Sequence, residues 1–119
     1  IGFHAHNNQN LAFANTIETL SYGVSFLDAT VQGMGRGAGN CAMELLLGFL
    51  KNPKYNIYSL LQFIEKYMLS LKEQGVVWGY DLQYMFTGLL NRHPREAIDF
   101  TNSKRNDYFE FYKGLLDNY

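Results

Sequence analysis

The sequence has one cysteine, two prolines and one tryptophan in 119 residues. A single thiol excludes an intramolecular disulfide framework and fits a reducing, cytoplasmic compartment. Ten basic residues stand against eleven acidic ones, for a net charge of −1. With no surplus of cations to neutralise a phosphate backbone, nucleic acid is not expected as a partner. Long apolar runs are also missing. The longest, Leu45-Leu46-Leu47-Gly48-Phe49-Leu50, is about a third of the roughly 18–20 residues a membrane span requires, so no membrane partner is expected. No basic-then-apolar leader opens the chain. It starts at Ile1, directly in an alternating apolar pattern, and we expect a segment of a longer protein.

What is present suffices for a core: 47% of the residues are hydrophobic, in a length that suits one small domain. Ile1, Phe3 and Ala5 alternate with Gly2, His4 and His6, which predicts a strand over 1–6. Asn7-Asn8-Gln9-Asn10 supplies helix-capping candidates. The spacing of Leu11, Ala14, Ile17 and Leu20 predicts a helix over 11–22, stopped by Gly23. A β-branched and aromatic stretch predicts a second strand over 24–31. Strand, helix, strand is a βαβ unit, with parallel strands and a right-handed crossover. Gly33 to Asn40 then forms a glycine-rich loop, with Asn40 expected to cap a helix over 41–50, which Asn52-Pro53 breaks.

The remainder is predicted to be helical. One helix is capped by Asn56, carries the stripe Ile57, Leu60, Leu61, Ile64, Met68 and Leu71, and ends at Gly75. Another follows Asp81, a short one starts at Pro94, and a last one opens at Ser103 or Asn106. The change near residue 52 divides the chain into a βα segment over 1–52 and a helical extension over 53–119.

Two motifs carry chemistry. In His4-Ala5-His6, residues i and i+2 share one face of a strand, about 6.6 Å apart. Two imidazoles so placed can converge on one ion; the alternative is two exposed or structurally bonded histidines. The pair sits at the C-terminal end of its strand, where parallel α/β architectures place their sites. The glycine loop follows the second strand and precedes a helix, an order that suits an anion. It is not Gly-x-Gly-x-x-Gly and lacks a Walker lysine, so a dinucleotide or nucleoside triphosphate fits poorly. Arg36 can grip a carboxylate through its two-pronged guanidinium, or be solvated.

In order and spacing, Gly2-Phe3-His4-Ala5-His6-Asn7-Asn8, Leu11-Ala12-Phe13-Ala14-Asn15, Gly23, Asp28-Ala29-Thr30, Gly33-Met34-Gly35-Arg36-Gly37-Ala38-Gly39-Asn40 and Glu44 resemble the DRE-type TIM-barrel metallolyases, the HMGL-like family. The double asparagine and the glycine loop resemble its aldolase branch most. The resemblance spans residues 1–50. It implies that His4, His6 and Asn40 ligate a divalent ion, Mn²⁺ or Mg²⁺. It implies that Gly33, Gly35, Arg36 and Gly37 lie against a small 2-oxo acid substrate. The acidic ligand, the adjacent arginine and the histidine base of the family belong to motifs upstream of these residues. The lyase branch carries a cysteine inside the glycine loop; here Cys41 falls after Asn40 and reads as a small buried helix residue. Asp28 reads as structural and His93 as a cap or surface residue. Tyr80 and Tyr84 receive no role, although tyrosines donate protons in the aldolase branch.

The resulting expectation is an α/β fold. It comprises the last βα units of a TIM (β/α)8 barrel with a C-terminal helical extension. The function is that of a fragment of a metal-dependent aldolase cleaving a 4-hydroxy-2-oxo acid to pyruvate and an aldehyde. Two strands of eight leave open edges, so the segment alone is expected to be inactive and to self-associate. The alternatives are an acyltransferase of the same superfamily, joining acetyl-CoA to a 2-oxo acid, and a non-catalytic binding or regulatory module.

Overall fold

β1 (Gly2–Phe3) and β2 (Phe26–Leu27) pair in parallel in the computed structural model, which describes residues 1–118. Gly2 lies opposite Phe26 and Phe3 opposite Leu27. The Ser25 amide donates to the Ile1 carbonyl at 3.0 Å and the Asp28 amide to that of Phe3 at 2.9 Å. The regular ladder is therefore shorter than the strands predicted over 1–6 and 24–31. The physical reason is pairing. Past Phe3 and Leu27 the two chains stop bonding to each other and bond to the glycine loop instead. His6 forms an antiparallel bridge to Asn40, and Thr30 a parallel one to Ala42. Residues 40–42 thus stitch the two strand ends together.

The predicted alternation holds across this short sheet. Phe3, Ala5, Leu27 and Ala29 face the helices and pack with Ala12, Phe13, Ile17, Cys41 and Leu46. The intervening residues, His4, His6 and Asp28, fall on the other face.

α1 (Ala12–Glu18) runs into a 3₁₀ turn over Thr19–Tyr22 and stops at Gly23, whose φ of 73° is left-handed. Asn7 caps the helix from a distance, its Oδ1 accepting from the Ala12 amide at 3.1 Å. α2 spans Met43–Leu50 and has no side-chain cap. The expected cap at Asn40 does not form, because the bridges hold residues 40–42 extended and delay the first helical turn. Cys41 is wholly buried, in that extended stitch and not in a helix.

α3 (Ile57–Phe63) is capped by Asn56, whose Oδ1 accepts from the Tyr58 amide at 2.7 Å. A π-helical turn over Ile64–Met68 joins it to α4 (Leu69–Glu73). Of the predicted stripe, Met68 is buried, Ile57, Leu60, Ile64 and Leu71 are half-buried and Leu61 is exposed. α5 (Leu82–Leu89) starts at Asp81, whose Oδ1 accepts from the Leu82 amide. α6 spans Arg95–Asn102 and α7 Tyr108–Asp117. α7 opens after Asp107, later than predicted. The Asp107 carboxylate does not cap it, because Arg105 holds both of its oxygens, at 2.9 and 2.7 Å.

α5, α6 and α7 bury Phe100, Phe111 and Leu115, with the Phe100 and Phe111 rings stacked at 4.5 Å. A further small cluster of Ala38, Tyr84 and Ala97 fixes the glycine loop to α5 and α6. The chain is a plate, 51 × 37 × 17 Å. Its radius of gyration of 16.2 Å exceeds the roughly 13–14 Å of a compact chain of this length. Among the described residues no helix is long and apolar enough to cross a membrane.

Candidate metal centre

The period-two geometry of the first strand delivers His4 and His6 to the face opposite the helices. Their ring centroids are 4.8 Å apart and the planes are nearly perpendicular. Asp28 reaches the same face from β2, and its Oδ2 lies 3.2 Å from His4 Nδ1. A carboxylate only accepts, so in the neutral imidazole this contact puts the proton on Nδ1 and the lone pair on Nε2. Asp28 is 24 positions from His4 in sequence. The available signal was its alternation with Leu27 and Ala29, which puts it on the histidine side.

The Asn40 backbone is bridged to that of His6, and the two side chains line one cavity. Its Nδ2 donates to the Met34 carbonyl at 3.2 Å, which settles the orientation of the amide and leaves Oδ1 free to accept. A β-carbon at Gly35 would collide with the Asn40 amide nitrogen, so only glycine lets the loop fold over this side chain. Gly33 also packs on Asn40: a β-carbon there would stand 2.8 Å from the Asn40 carbonyl oxygen. Gly37 instead faces the helices, against Tyr84 and Ile98.

Glu44 tightens the loop from α2, its Oε2 accepting from the Gln32 amide at 2.9 Å. The helical region holds the loop from the other side. Trp78 Nε1 donates to the Gln32 carbonyl at 3.0 Å, and the Gly79 amide to that of Gly37 at 3.0 Å. Beneath the loop, Cys41 is held neutral: burial pushes its thiol pKa up, the hydrogen bond with Thr16 pulls it down, and the nearby Glu44 charge raises it further.

His6, Asn8, Arg36, Asn40, His93 and Pro94 line one cavity of about 250 Å³. His93 is exposed and its Nδ1 accepts from the Arg95 amide at the start of α6 at 3.1 Å, as a cap or surface residue is expected to do, and it also lines this cavity. Tyr84 is buried among the α5 and α6 contacts, and the Tyr80 hydroxyl lies 3.8 Å from the Met85 sulfur.

Two imidazoles and one amide oxygen suit a divalent cation that also takes oxygen ligands and water. Among the described residues no group of three or more His, Cys, Asp or Glu side chains converges on one point. These residues therefore fit part of a coordination sphere.

The arrangement defines an α-rich α/β protein with a small parallel sheet, whose polar face carries an imidazole pair beside a glycine loop. A model of the HMGL-like family matches residues 1–69, more than half of the chain, and the chain belongs to that family. It is 53% identical over 51 residues to an oxaloacetate decarboxylase of Mycobacterium tuberculosis, covering 43% of this chain and 15% of that protein. Over 72 residues it is 43% identical to a 4-hydroxy-2-oxovalerate aldolase of Thermus thermophilus, covering 57% and 21%. The corresponding aldolase of Carboxydothermus hydrogenoformans is 33% identical over 103 residues, covering 71% and 31%. A solved structure, the N-terminal domain of a candidate aldolase from Bacteroides vulgatus, superposes with a TM-score of 0.72 at 38% identity, over 84% of this chain and 34% of that one. The chain thus spans between about a sixth and a third of the proteins it matches.

Proposed function

We propose that these residues form one side of the active site of a divalent-metal-dependent aldolase, cleaving a 4-hydroxy-2-oxo acid to pyruvate and an aldehyde. The observation that carries the reading is the His4–His6 imidazole pair on one sheet face, with Asp28 on the first imidazole and the His6 backbone bridged to Asn40. The two aldolases named above and the oxaloacetate decarboxylase all carry a 2-oxo acid in their names, which supports the substrate class.

His4 Nε2, an imidazole nitrogen of His6 and Asn40 Oδ1 would hold the ion, Mn²⁺ or Mg²⁺. An ion held by these residues would supply Lewis-acid chemistry to the 2-oxo acid. In the neutral ring, Asp28 selects the tautomer with its proton on His4 Nδ1, which turns Nε2 to the ligating role. Arg36, which lines the cavity with His6 and Asn40, offers a fork of N–H donors to a carboxylate. This mechanism needs an acidic ligand and a base for the 4-hydroxyl from outside these residues. We therefore propose that the 119 residues alone have no aldolase activity. We further propose that they self-associate through the apolar surface left by the plate, where Ile1 and Phe26 are among the most exposed large side chains.

We read the sheet as two consecutive strands of a (β/α)8 barrel. Helices cover the Phe3, Ala5, Leu27 and Ala29 side, and the histidine side would line the barrel interior.

The test uses the natural polypeptide that carries these residues. Mn²⁺ binding followed by electron paramagnetic resonance, and pyruvate release from 4-hydroxy-2-oxopentanoate, should both be lost in His4→Ala and in His6→Ala. Retention of wild-type metal affinity by either variant would overturn the ligand assignment. An absolute requirement for acetyl-CoA would show the acyltransferase instead.

A further inference from the structure

Two carbonyls hold Asn40. That of Gly33 accepts from its backbone amide at 2.9 Å, and that of Met34 accepts from its side-chain Nδ2 at 3.2 Å. Both carbonyls come immediately after Gln32, so the backbone angles of Gln32 decide where they stand. Those angles are unusual: φ is 52° and ψ is 27°, in the left-handed region. Four other described non-glycine residues have positive φ, and each stands at a helix end: Asn10 before α1, and Lys51, Asn91 and Lys104 just past α2, α5 and α6. A left-handed residue is ordinary just past a helix. Gln32 closes no α-helix, and its conformation runs against the preference of an L-residue. What holds it comes from outside the loop, on both sides. Its amide donates to Glu44 Oε2 at 2.9 Å, and its carbonyl accepts from Trp78 Nε1 at 3.0 Å. Each of these side chains fixes one of the two peptide planes that flank Gln32. The residue after the indole extends the hold: the Gly79 amide, at a φ of 114°, donates to the Gly37 carbonyl at 3.0 Å. Trp78 and Gly79 thus grip the loop at its entry and again beyond Arg36. They come from the segment between α4 and α5, beyond the residues matched to the family.

We propose that Trp78 is a positioning residue for the metal centre: by holding the Gln32 carbonyl it fixes the two carbonyls that orient Asn40, and so presents Asn40 Oδ1 to the ion. The indole touches neither ion nor substrate. Without its N–H, one of the two restraints on Gln32 is gone, and the residue can relax toward the right-handed region that its side chain prefers. The Gly33 and Met34 carbonyls then move, and Asn40 loses its backbone anchor and its side-chain anchor together. Glu44 does the same work from α2, on the other peptide plane. The helical region thereby takes a part in metal binding without supplying a ligand. This inference rests on the metal-centre reading above, with Asn40 as a ligand.

The test is a double-mutant cycle on the natural polypeptide, with Mn²⁺ titrated by electron paramagnetic resonance, so that no turnover is needed. Trp78→Phe keeps an aromatic ring and removes the N–H donor. It should weaken Mn²⁺ binding roughly 10-fold, the upper end of what one hydrogen bond contributes. In an Asn40→Ala background the same substitution should change the affinity by less than about twofold, because the side chain it positions is gone. Glu44→Ala, which releases the Gln32 amide on the other side, should give the same pair of results. It carries the test if far-UV circular dichroism shows that Trp78→Phe does not fold. Unchanged Mn²⁺ affinity in a folded Trp78→Phe, or an equal loss in both backgrounds, overturns this proposal alone, since the indole would then only fasten the loop. Absence of Mn²⁺ binding in wild type, or wild-type affinity in Asn40→Ala, overturns it together with the metal-centre reading.

Discussion

Substituting alanine at Gly39, Gly23 and Gly48 separates three physical effects that a single glycine substitution would confound. Gly48 lies inside α2 with a helical backbone and nothing within 4 Å of an added β-carbon. Alanine there should stabilise the protein by about 0.5–1 kcal/mol through reduced backbone entropy in the unfolded chain. Gly23 also has open space, but its φ is +73°. The left-handed conformation costs an alanine about 1–2 kcal/mol, part of which the entropic gain offsets, for a net loss of about 1 kcal/mol. Gly39 has a φ of +80°, and its β-carbon would run into the Gly33 carbonyl oxygen. That oxygen accepts from the Asn40 amide at 2.9 Å, and the Gly39 carbonyl accepts from that of Asn7 at 2.9 Å. Strain of about 1–2 kcal/mol plus two disturbed hydrogen bonds of about 0.5–1.5 kcal/mol each gives a loss of about 2–5 kcal/mol. Urea unfolding followed by circular dichroism reads the three midpoints. The reasoning fails if Gly39→Ala costs no more than Gly23→Ala, because the collision at Gly33 would then have no energetic weight.

Asp28→Asn should weaken Mn²⁺ binding roughly 10- to 100-fold, as loss of a carboxylate behind a ligating imidazole does; titration by electron paramagnetic resonance checks this, and unchanged affinity would remove Asp28 from the centre. Asp107 should titrate below the usual carboxylate range because Arg105 hydrogen-bonds both its oxygens. A depressed folded-state value means that its stabilising contribution is present above the ordinary carboxylate pKa and lost as pH falls through the depressed one. A carboxyl-detected NMR titration of wild type and Arg105→Gln should show the depression vanish in the variant. Cys41, wholly buried and held neutral, should resist iodoacetamide in the native state at pH 7 and react once urea unfolds the chain; rapid native labelling would contradict its placement beneath the loop.

Caps and stops were legible in the sequence because they are local. Asn56, Asp81 and Gly23 act within two or three residues of where they stand, so their chemistry alone decides the outcome. The strands were legible in direction and face, but not in length. Length depends on which partner is within reach, and here the glycine loop takes over the bonding of His6 and Thr30. The same stitch moved the start of α2 from 41 to 43 and released Asn40 from capping. His4 and His6 share a face as their spacing predicted, whereas Asp28 beside His4 is a contact across the sheet that alternation permits but does not specify. His93 was legible as a cap or surface residue, being exposed and accepting from the Arg95 amide; its place in the cavity beside His6 was not, because that depends on Ala38, Tyr84 and Ala97 packing the loop against α5 and α6, and no local pattern encodes that packing.

The hydrogen bond from Trp78 to the Gln32 carbonyl gives the chain an optical gauge of its own. Trp78 is the sole tryptophan, and its indole rests on the loop that shelters Asn40, with the Lys72 ammonium 5.1 Å from the ring centroid. Its emission spectrum therefore reads one place in these residues. Ligand entry beneath the loop, release of the loop from the helical region and detachment of the indole should each shift its colour or its quenching by iodide. Stopped-flow measurements on the unlabelled protein can then time the opening of the glycine loop directly, without a dye or a substrate analogue.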